Sequence, residues 1–430
     1  MTLKLPTEYI LESVKTKLQF PDKGWTLDAP GEDNPSLIRA IYKKKQLDVK
    51  DTSYGVFRFA NWLPVLKFLK GSSAPVTYKS EGLANFLGLK NLYITFSGYW
   101  PEKGALMRTC SFKETEAYAV CGRLPDTSPG VLVVASAGNT ARAFARVCSD
   151  NQVPLLLCVP HDNLDALWFD SEISNCVRLV TTISGSDYYD AIHLSNLVCG
   201  IEGFFAEGGA KNVARRDGMG TTVLSAAHKI GRIPDFYFQA IGSGTGAIAA
   251  WEANLRLIND GNYGNHKMKL MVSQNIPFLP VFEAWNAGSC DILPLDDEVA
   301  RRQVEEISAK VLSNRKPPYG ISGGLFDALK DSDGQVLKAS NQEAKEAAIL
   351  FESLEGNDIH PASAIATATL INESKAGRLP AEACIMLNVT GGGEKRFKQV
   401  KQLHYLQPSC VFDINPDPDD IIRAVCSLFS

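Results

Sequence analysis

The stretch "SFKETEAYAV", residues 111–120, places Lys113 in the first turn of an amphipathic helix. The positive end of the helix dipole disfavours a cation there by about a few tenths of a kcal/mol. Most lysines in such a place are solvated surface charges. A neutral amine escapes the cost, and a neutral amine is both a nucleophile and a base. Three turns rich in Gly, Ser and Thr supply groups for such an amine to work with. In "FYFQAIGSGTGAIAAWEAN" an apolar strand runs into Gly242, Ser243, Gly244, Thr245 and Gly246 and then into a helix. Glycines let backbone N–H groups approach an anion and the helix N-terminus adds partial positive charge, so this turn reads as a phosphate cradle.

The cradle pattern also fits a dinucleotide fingerprint, but "LRLINDGNYGNH" offers no strand ending in an acid about twenty residues on. In "VLVVASAGNTARAFARVC" the design repeats with Ser136, Ala137, Gly138, Asn139 and Thr140. Either Asn139 or Thr140 caps the helix, or the turn binds a carboxylate while the Asn139 amide meets a ring oxygen. The third turn, "LNVTGGGEKRF", sets the Thr390 hydroxyl at a strand end before three glycines, as a Gly-rich loop also would. An amine, a phosphate nest, an amide and a hydroxyl are together what pyridoxal 5'-phosphate requires, for its Schiff base, phosphate, O3′ and ring nitrogen.

The elements that must position these groups are legible as alternating apolar runs and helices. "NLYITFS", "VLVVASAG", "VPLLLCVP", "CVRLVTTIS", "DFYFQAIGSG", "KLMVSQ" and "CIMLNVTGGG" are continuously apolar, as buried strands are, with helices of about 10 to 15 residues between them. The pattern predicts an α/β fold with mainly parallel sheets, whose ligands sit at the carboxyl ends of strands. About the first 70 residues, with the loop "APGEDNPS", read as an extension packed on the main body. The tail after about residue 406 reads as a proline-aspartate loop followed by an amphipathic helix.

The 430 residues carry a net charge of −4, with 45% hydrophobic and 21% charged residues. No long Lys/Arg run supplies the footprint that nucleic acid or an anionic membrane needs, so the expected partner is a small molecule. "MTLKLPTEYILESVKTK" lacks an apolar core before a cleavage site, and no apolar run approaches the ~20 residues of a membrane span, which predicts a cytoplasmic protein. Ten scattered cysteines without a C-x-x-C pair read as reduced core thiols, and no metal site is expected.

The order and spacing of "SFKETEA", "SAGNTA", "GSGTGA" and "NVTGGGEK" resemble the fold type II pyridoxal-phosphate enzymes, of tryptophan synthase β-like architecture, in their threonine synthase branch. "APVTYKSEGLANFLGLKNLYI", "EGGAKNVARRDGMGTT" and "EGNDIHPASAIATATL" extend the resemblance over roughly residues 72–405. Within the branch, "NWLPV", "SGYWPEKGALMRTCSFKE" and "ASAGNTARAFA" are more similar to cysteate synthases than to threonine synthases. The latter carry Asp-Arg-Gly after the lysine, where Glu114, Thr115 and Glu116 stand here, and usually a lysine at the place of Gly220. The N-terminal cysteine pairs of some relatives are missing, since the first cysteine is Cys110.

The resemblance implies a large cofactor-binding domain over 71–125 and 226–405, a small domain over 126–225, an N-terminal extension over 1–70 and a tail over 406–430, with the active site between the two domains. It implies that Lys113 forms the Schiff base, Asn139 contacts O3′, residues 242–246 hold the phosphate and Thr390 faces the ring nitrogen. It further implies a β-replacement in which O-phospho-L-serine and sulfite give L-cysteate and phosphate, in a homo-oligomer. Threonine synthase chemistry on O-phospho-L-homoserine and water, or a different nucleophile, are the alternatives. Ser136, Ala137, Gly138 and Thr140 are then candidates for the substrate. Substrate anions call for cations too, and Lys103, Arg108 and Arg142, or Lys211, Arg215 and Arg216, are the candidates.

Overall fold

In the strand Phe236–Ala240, Tyr237 points to one face while Phe238 and Ala240 point to the other, and both faces are covered. Its neighbours alternate in step: Leu270, Val272 and Met386 join Tyr237, whereas Met271, Ile385 and Leu387 join Phe238. A strand buried on both faces has no use for polar positions, which is why these segments are continuously apolar. The computed structural model describes residues 5–33, 35–125, 130–136 and 138–429.

These strands belong to a six-stranded sheet ordered Gln335–Ala339, Lys269–Asn275, Phe236–Ala240, Cys384–Val389, Asn91–Phe96, Val76–Lys79. It is parallel except for the last pair. One face packs on the helices Val213–Ile230 and Thr245–Asp260, through Val223, Leu224, Ala247 and Ile248. The other packs on Asn341–Glu355 and Pro361–Lys375, through Phe351, Ile365 and Leu370.

A second sheet, ordered Phe204–Ala206, Val131–Ala135, Leu155–Pro160, Val177–Thr182, Cys410–Phe412, is wholly parallel. The helices Lys113–Arg123 and Asn139–Asn151 share a core with Leu132, Val134 and Leu157 on one face. Leu194 and Val198 of Tyr188–Val198, with Ile421 and Val425 of Pro418–Ser427, cover Val133, Leu156 and Cys158 on the other.

Four strands lie outside the apolar runs read in the sequence: Val76–Lys79 and Gln335–Ala339, which carry polar residues, and Phe204–Ala206 and Cys410–Phe412, which are only three residues long. They are the edges of the two sheets. An edge strand has one neighbour and a partly solvated face, so it tolerates the Lys79, Gln335 and Lys338 that break the pattern. The stretch after residue 406 therefore contributes a strand as well as the expected helix. At the other end, a three-stranded antiparallel sheet of Gln19–Phe20, Tyr9–Ser13 and Ile38–Tyr42 buries Leu11, Ile38 and Tyr42 against Val223 and Trp251.

Five cysteines are buried, but Cys290 and Cys426 are exposed, so the reading of core thiols does not extend to these two. Cys426 lies on the helix that shows Ile421 and Val425 to the core, in a position off that stripe. Among the described residues no helix is long and apolar enough to cross a membrane.

Candidate active site

Strands Val131–Ala135, Phe236–Ala240 and Cys384–Val389 all end at one cleft, immediately before Ser136, Ile241 and Thr390. The cleft is lined by Lys113, Ser136, Gly138, Asn139, Thr140, Gly242, Ser243, Gly244, Gly246 and Thr390, among others. Thr245 belongs to the same turn, with its hydroxyl 2.9 Å from that of Ser243, and Ala137 lies outside the described residues. Helices beginning at Lys113, Asn139, Thr245 and Pro361 each present their first turn or capping residue to this wall. Each such end carries roughly half a positive charge.

The 242–246 turn has the form of an anion nest. Among the described residues the amides of Gly242, Ser243, Gly244 and Gly246 have no acceptor, while Thr245 N–H donates to Ser243 Oγ at 3.3 Å. Four free amides gathered in one turn, at a cleft and at the start of a helix, form a site for an anion. Gly244 caps the helix with φ +75°, and a Cβ there would lie 2.6 Å from Leu325 Cδ2. The turn is thus restricted to glycine by backbone conformation and by packing together. A phosphate group fits it.

Lys113 is the first residue of its helix, and its Nζ lies 3.0 Å from Glu116 Oε2. Glu116 Oε1 is 3.3 Å from Arg215 Nη2, and Arg215 Nη1 is 2.5 Å from Glu207 Oε2. Burial lowers the pKa of the Lys113 amine, Arg215 lowers it further, and Glu116 and Glu207 oppose them. The shift is thus in the direction anticipated from the helix dipole, with burial as its largest cause. Glu116 was legible as an i+3 partner of Lys113. Glu207 and Arg215 were not legible as its neighbours, because they lie 94 and 102 residues further along the chain, beyond four strands of the second sheet.

The charges make a signed expectation. Glu116→Gln removes a carboxylate that holds the ammonium, so the amine should lose its proton at lower pH. Arg215→Met removes a cation that repels it and should have the opposite effect. The rate at which cofactor-free protein combines with added pyridoxal phosphate, followed by absorbance against pH, should show its inflection displaced down in the first variant and up in the second. Unmoved inflections in both would contradict this charge arrangement.

Asn139 and Thr140 do not cap their helix: Gly138 does, at φ +146°, and Asn139 is the first helical residue. Ser136 Oγ instead accepts from Gly138 N–H at 3.0 Å. The capping alternative for this turn is thus set aside, because the side chains begin inside the helix rather than before it. Thr390 is 8% exposed, its hydroxyl 3.4 Å from Ser363 Oγ, and its carbonyl accepts from Phe112 N–H at 2.9 Å, which ties it to the segment entering Lys113. The glycines after it are structural: a Cβ on Gly393 would fall 1.8 Å from the Tyr99 carbonyl oxygen. The cleft wall also includes Tyr188, Gln239 and His360, which the sequence did not single out.

The expected cations are placed otherwise. Arg108 forks onto Asp170 at 2.7 and 2.8 Å and reaches Asp150 at 2.8 Å, and is not on the cleft wall. Lys103 lies over the rings of Tyr78 and Trp100, at 4.4 and 5.1 Å. Both precede Lys113 in sequence, but the first is consumed by two carboxylates and the second by two aromatic faces. Lys211 pairs with Asp28 at 2.6 Å and Arg216 with Glu252 at 2.9 Å. Of the six candidates only Arg215 lines the cleft, and it is already matched by Glu116 and Glu207.

A family profile described as "Pyridoxal-phosphate dependent enzyme" matches residues 97–391. A protein of Methanosarcina acetivorans named cysteate synthase is 48% identical over 387 residues, 90% of this chain and 92% of its own length. One of Methanocella paludicola with the same name is 46% identical over 402 residues, 93% of each chain. Among solved structures, maize serine racemase superposes with a TM-score of 0.56 at 15% identity, covering 76% of this chain and 92% of that one. A threonine deaminase isoform from Solanum lycopersicum gives 0.51 at 15% identity, covering 76% and 87%.

Proposed function

Since the chain belongs to the pyridoxal-phosphate dependent enzymes and, within them, to the cysteate synthases, we propose that it joins sulfite to the β-carbon of O-phospho-L-serine, releasing phosphate and forming L-cysteate. The observation that carries the reading is the unpaired amide nest of residues 242–246 facing the same cleft as the buried Lys113 amine.

In this reading the amides of Gly242, Ser243, Gly244 and Gly246 hold the cofactor phosphate, the Asn139 amide meets the ring's phenolic oxygen and the Thr390 hydroxyl faces the ring nitrogen. The bound cofactor supplies electron withdrawal from the α-carbon, which acidifies the α-proton and lets the β-phosphate leave. A hydroxyl at Thr390, unlike a carboxylate, leaves the ring nitrogen unprotonated and so favours loss and replacement of the β-group over transamination. Ser136, Gly138 and Thr140 hold the α-carboxylate at the first turn of their helix. Lys113 Nζ takes the α-proton, and Glu116 Oε2 beside it steadies the ammonium that results. Phe112, Ile241 and Leu312 give the wall an apolar part that keeps bulk water from competing with the added nucleophile.

The anions that pass through this site, a phosphate monoester and then sulfite, are met by helix N-termini rather than by free cations. The test follows phosphate release. With pyridoxal phosphate bound, the protein should release phosphate from O-phospho-L-serine, and sulfite should accelerate that release. Release that ignores sulfite would remove sulfite from the proposal.

A further inference from the structure

Arg142 follows Asn139 by three residues on the first turns of one helix and is 2% exposed. Its guanidinium is held from three sides. Nη1 donates to the Ala166 carbonyl at 2.7 Å, and Nε and Nη2 donate to the Thr109 carbonyl at 3.2 and 3.0 Å. The plane lies over the Trp168 ring at 4.1 Å, and Glu394 Oε2 stands 3.9 Å from Nη2. From this fixed position Nη2 also donates to Asn139 Oδ1 at 2.9 Å.

A guanidinium has donors and no acceptor, so the atom of Asn139 that faces it must be the oxygen. The usual ambiguity between the two ends of an amide is thereby removed. The Nδ2 group is left over; among the described residues it has no hydrogen-bond partner, and Asn139 lines the cleft. We infer that Arg142 is a positioning residue that locks the Asn139 amide with its Nδ2 donors, not its oxygen, turned to the cleft.

The inference rests on the reading that Asn139 meets the phenolic oxygen of the cofactor. That oxygen is an acceptor when ionised, and an amide turned the other way would set oxygen against oxygen. Arg142 holds its own place through backbone carbonyls of the segment leading to Lys113 and of the 161–166 turn, so it can orient Asn139 without depending on it. The same contacts tie the Asn139 helix to the Lys113 approach, which keeps the two groups in one geometry.

The experiment compares the wild type, Asn139→Ala, Arg142→Lys, Arg142→Met and the double variant Asn139→Ala/Arg142→Met, each loaded with pyridoxal phosphate. The readout is the visible absorption of the bound cofactor and the pH at which it titrates, which only folded, loaded protein displays. Asn139→Ala should displace the titration midpoint. Arg142→Met should displace it in the same direction, Arg142→Lys should fall between Arg142→Met and the wild type, and the double variant should match Asn139→Ala alone. If Arg142→Met cannot be loaded, the displaced midpoint of Arg142→Lys carries the test. Midpoints at the wild-type value in both arginine variants, beside a displaced Asn139→Ala, would overturn the role of Arg142. A double variant displaced beyond Asn139→Ala would overturn it too, because Arg142 would then act by another route. A wild-type midpoint in Asn139→Ala would overturn the reading of Asn139 itself.

Discussion

Lys113→Ala is expected to lose the covalently held cofactor and to lower turnover by about 10³-fold or more, because in the proposed function one amine serves both as the Schiff-base nitrogen and as the base. The fold should survive. Lys113 contributes one ion pair, to Glu116, and a contact over the Phe112 ring at 4.9 Å. When it is removed Glu116 still faces Arg215, so no buried carboxylate is stranded. The variant should still bind pyridoxal phosphate reversibly, since in the proposed function the 242–246 turn holds the phosphate independently of the lysine. Borohydride reduction, peptide mapping and thermal unfolding check this together. A reducible linkage retained at the same peptide would contradict the role of Lys113.

Gly244→Ala is expected to act from the other end of the cofactor. A left-handed backbone costs a non-glycine residue roughly 1–2 kcal/mol, and the new Cβ would press on the buried Leu325 side chain. The turn can relieve this only by moving, which misaims the amides of Ser243 and Gly246 on either side. A hydrogen bond to a charged group is worth about 1.5–3 kcal/mol. Losing one should weaken cofactor binding by about 10-fold or more, with a small fall in melting temperature. Equilibrium dialysis of the cofactor would show it. Affinity equal to the wild type would mean that the phosphate is held elsewhere.

What the sequence discloses and what it hides follow from the range of the interactions involved. Each motif that meets at the cleft is a local object: a strand end, a glycine turn and a helix start within about ten residues. Ser136, Asn139, Gly242 and Thr390 are therefore readable as separate pieces, and the parallel sheets bring them to one wall. Interior strands announce themselves as long apolar runs, whereas the four edge strands are interrupted by polar residues or only three residues long. The cations fail for a related reason. Arg108 looks available in "LMRTCSFKE", but whether a guanidinium is free depends on Asp150 and Asp170, 42 and 62 residues away. Helix ends that no count of Lys and Arg registers add backbone partial charge to the cleft beside Lys113 and Arg215. Arg142 is the opposite case: its i+3 spacing from Asn139 was visible in "GNTARAF", but not its hold on Thr109 and Ala166.

In the proposed function this cleft replaces the phosphate of a three-carbon amino acid with sulfite. The most direct test is to measure kcat/KM for O-phospho-L-serine with sulfite, identifying the product as L-cysteate, beside kcat/KM for O-phospho-L-homoserine with water on the same loaded protein. L-cysteate is the expected product, with the higher value for the first pair. Threonine formed from O-phospho-L-homoserine at the higher kcat/KM would contradict the proposal.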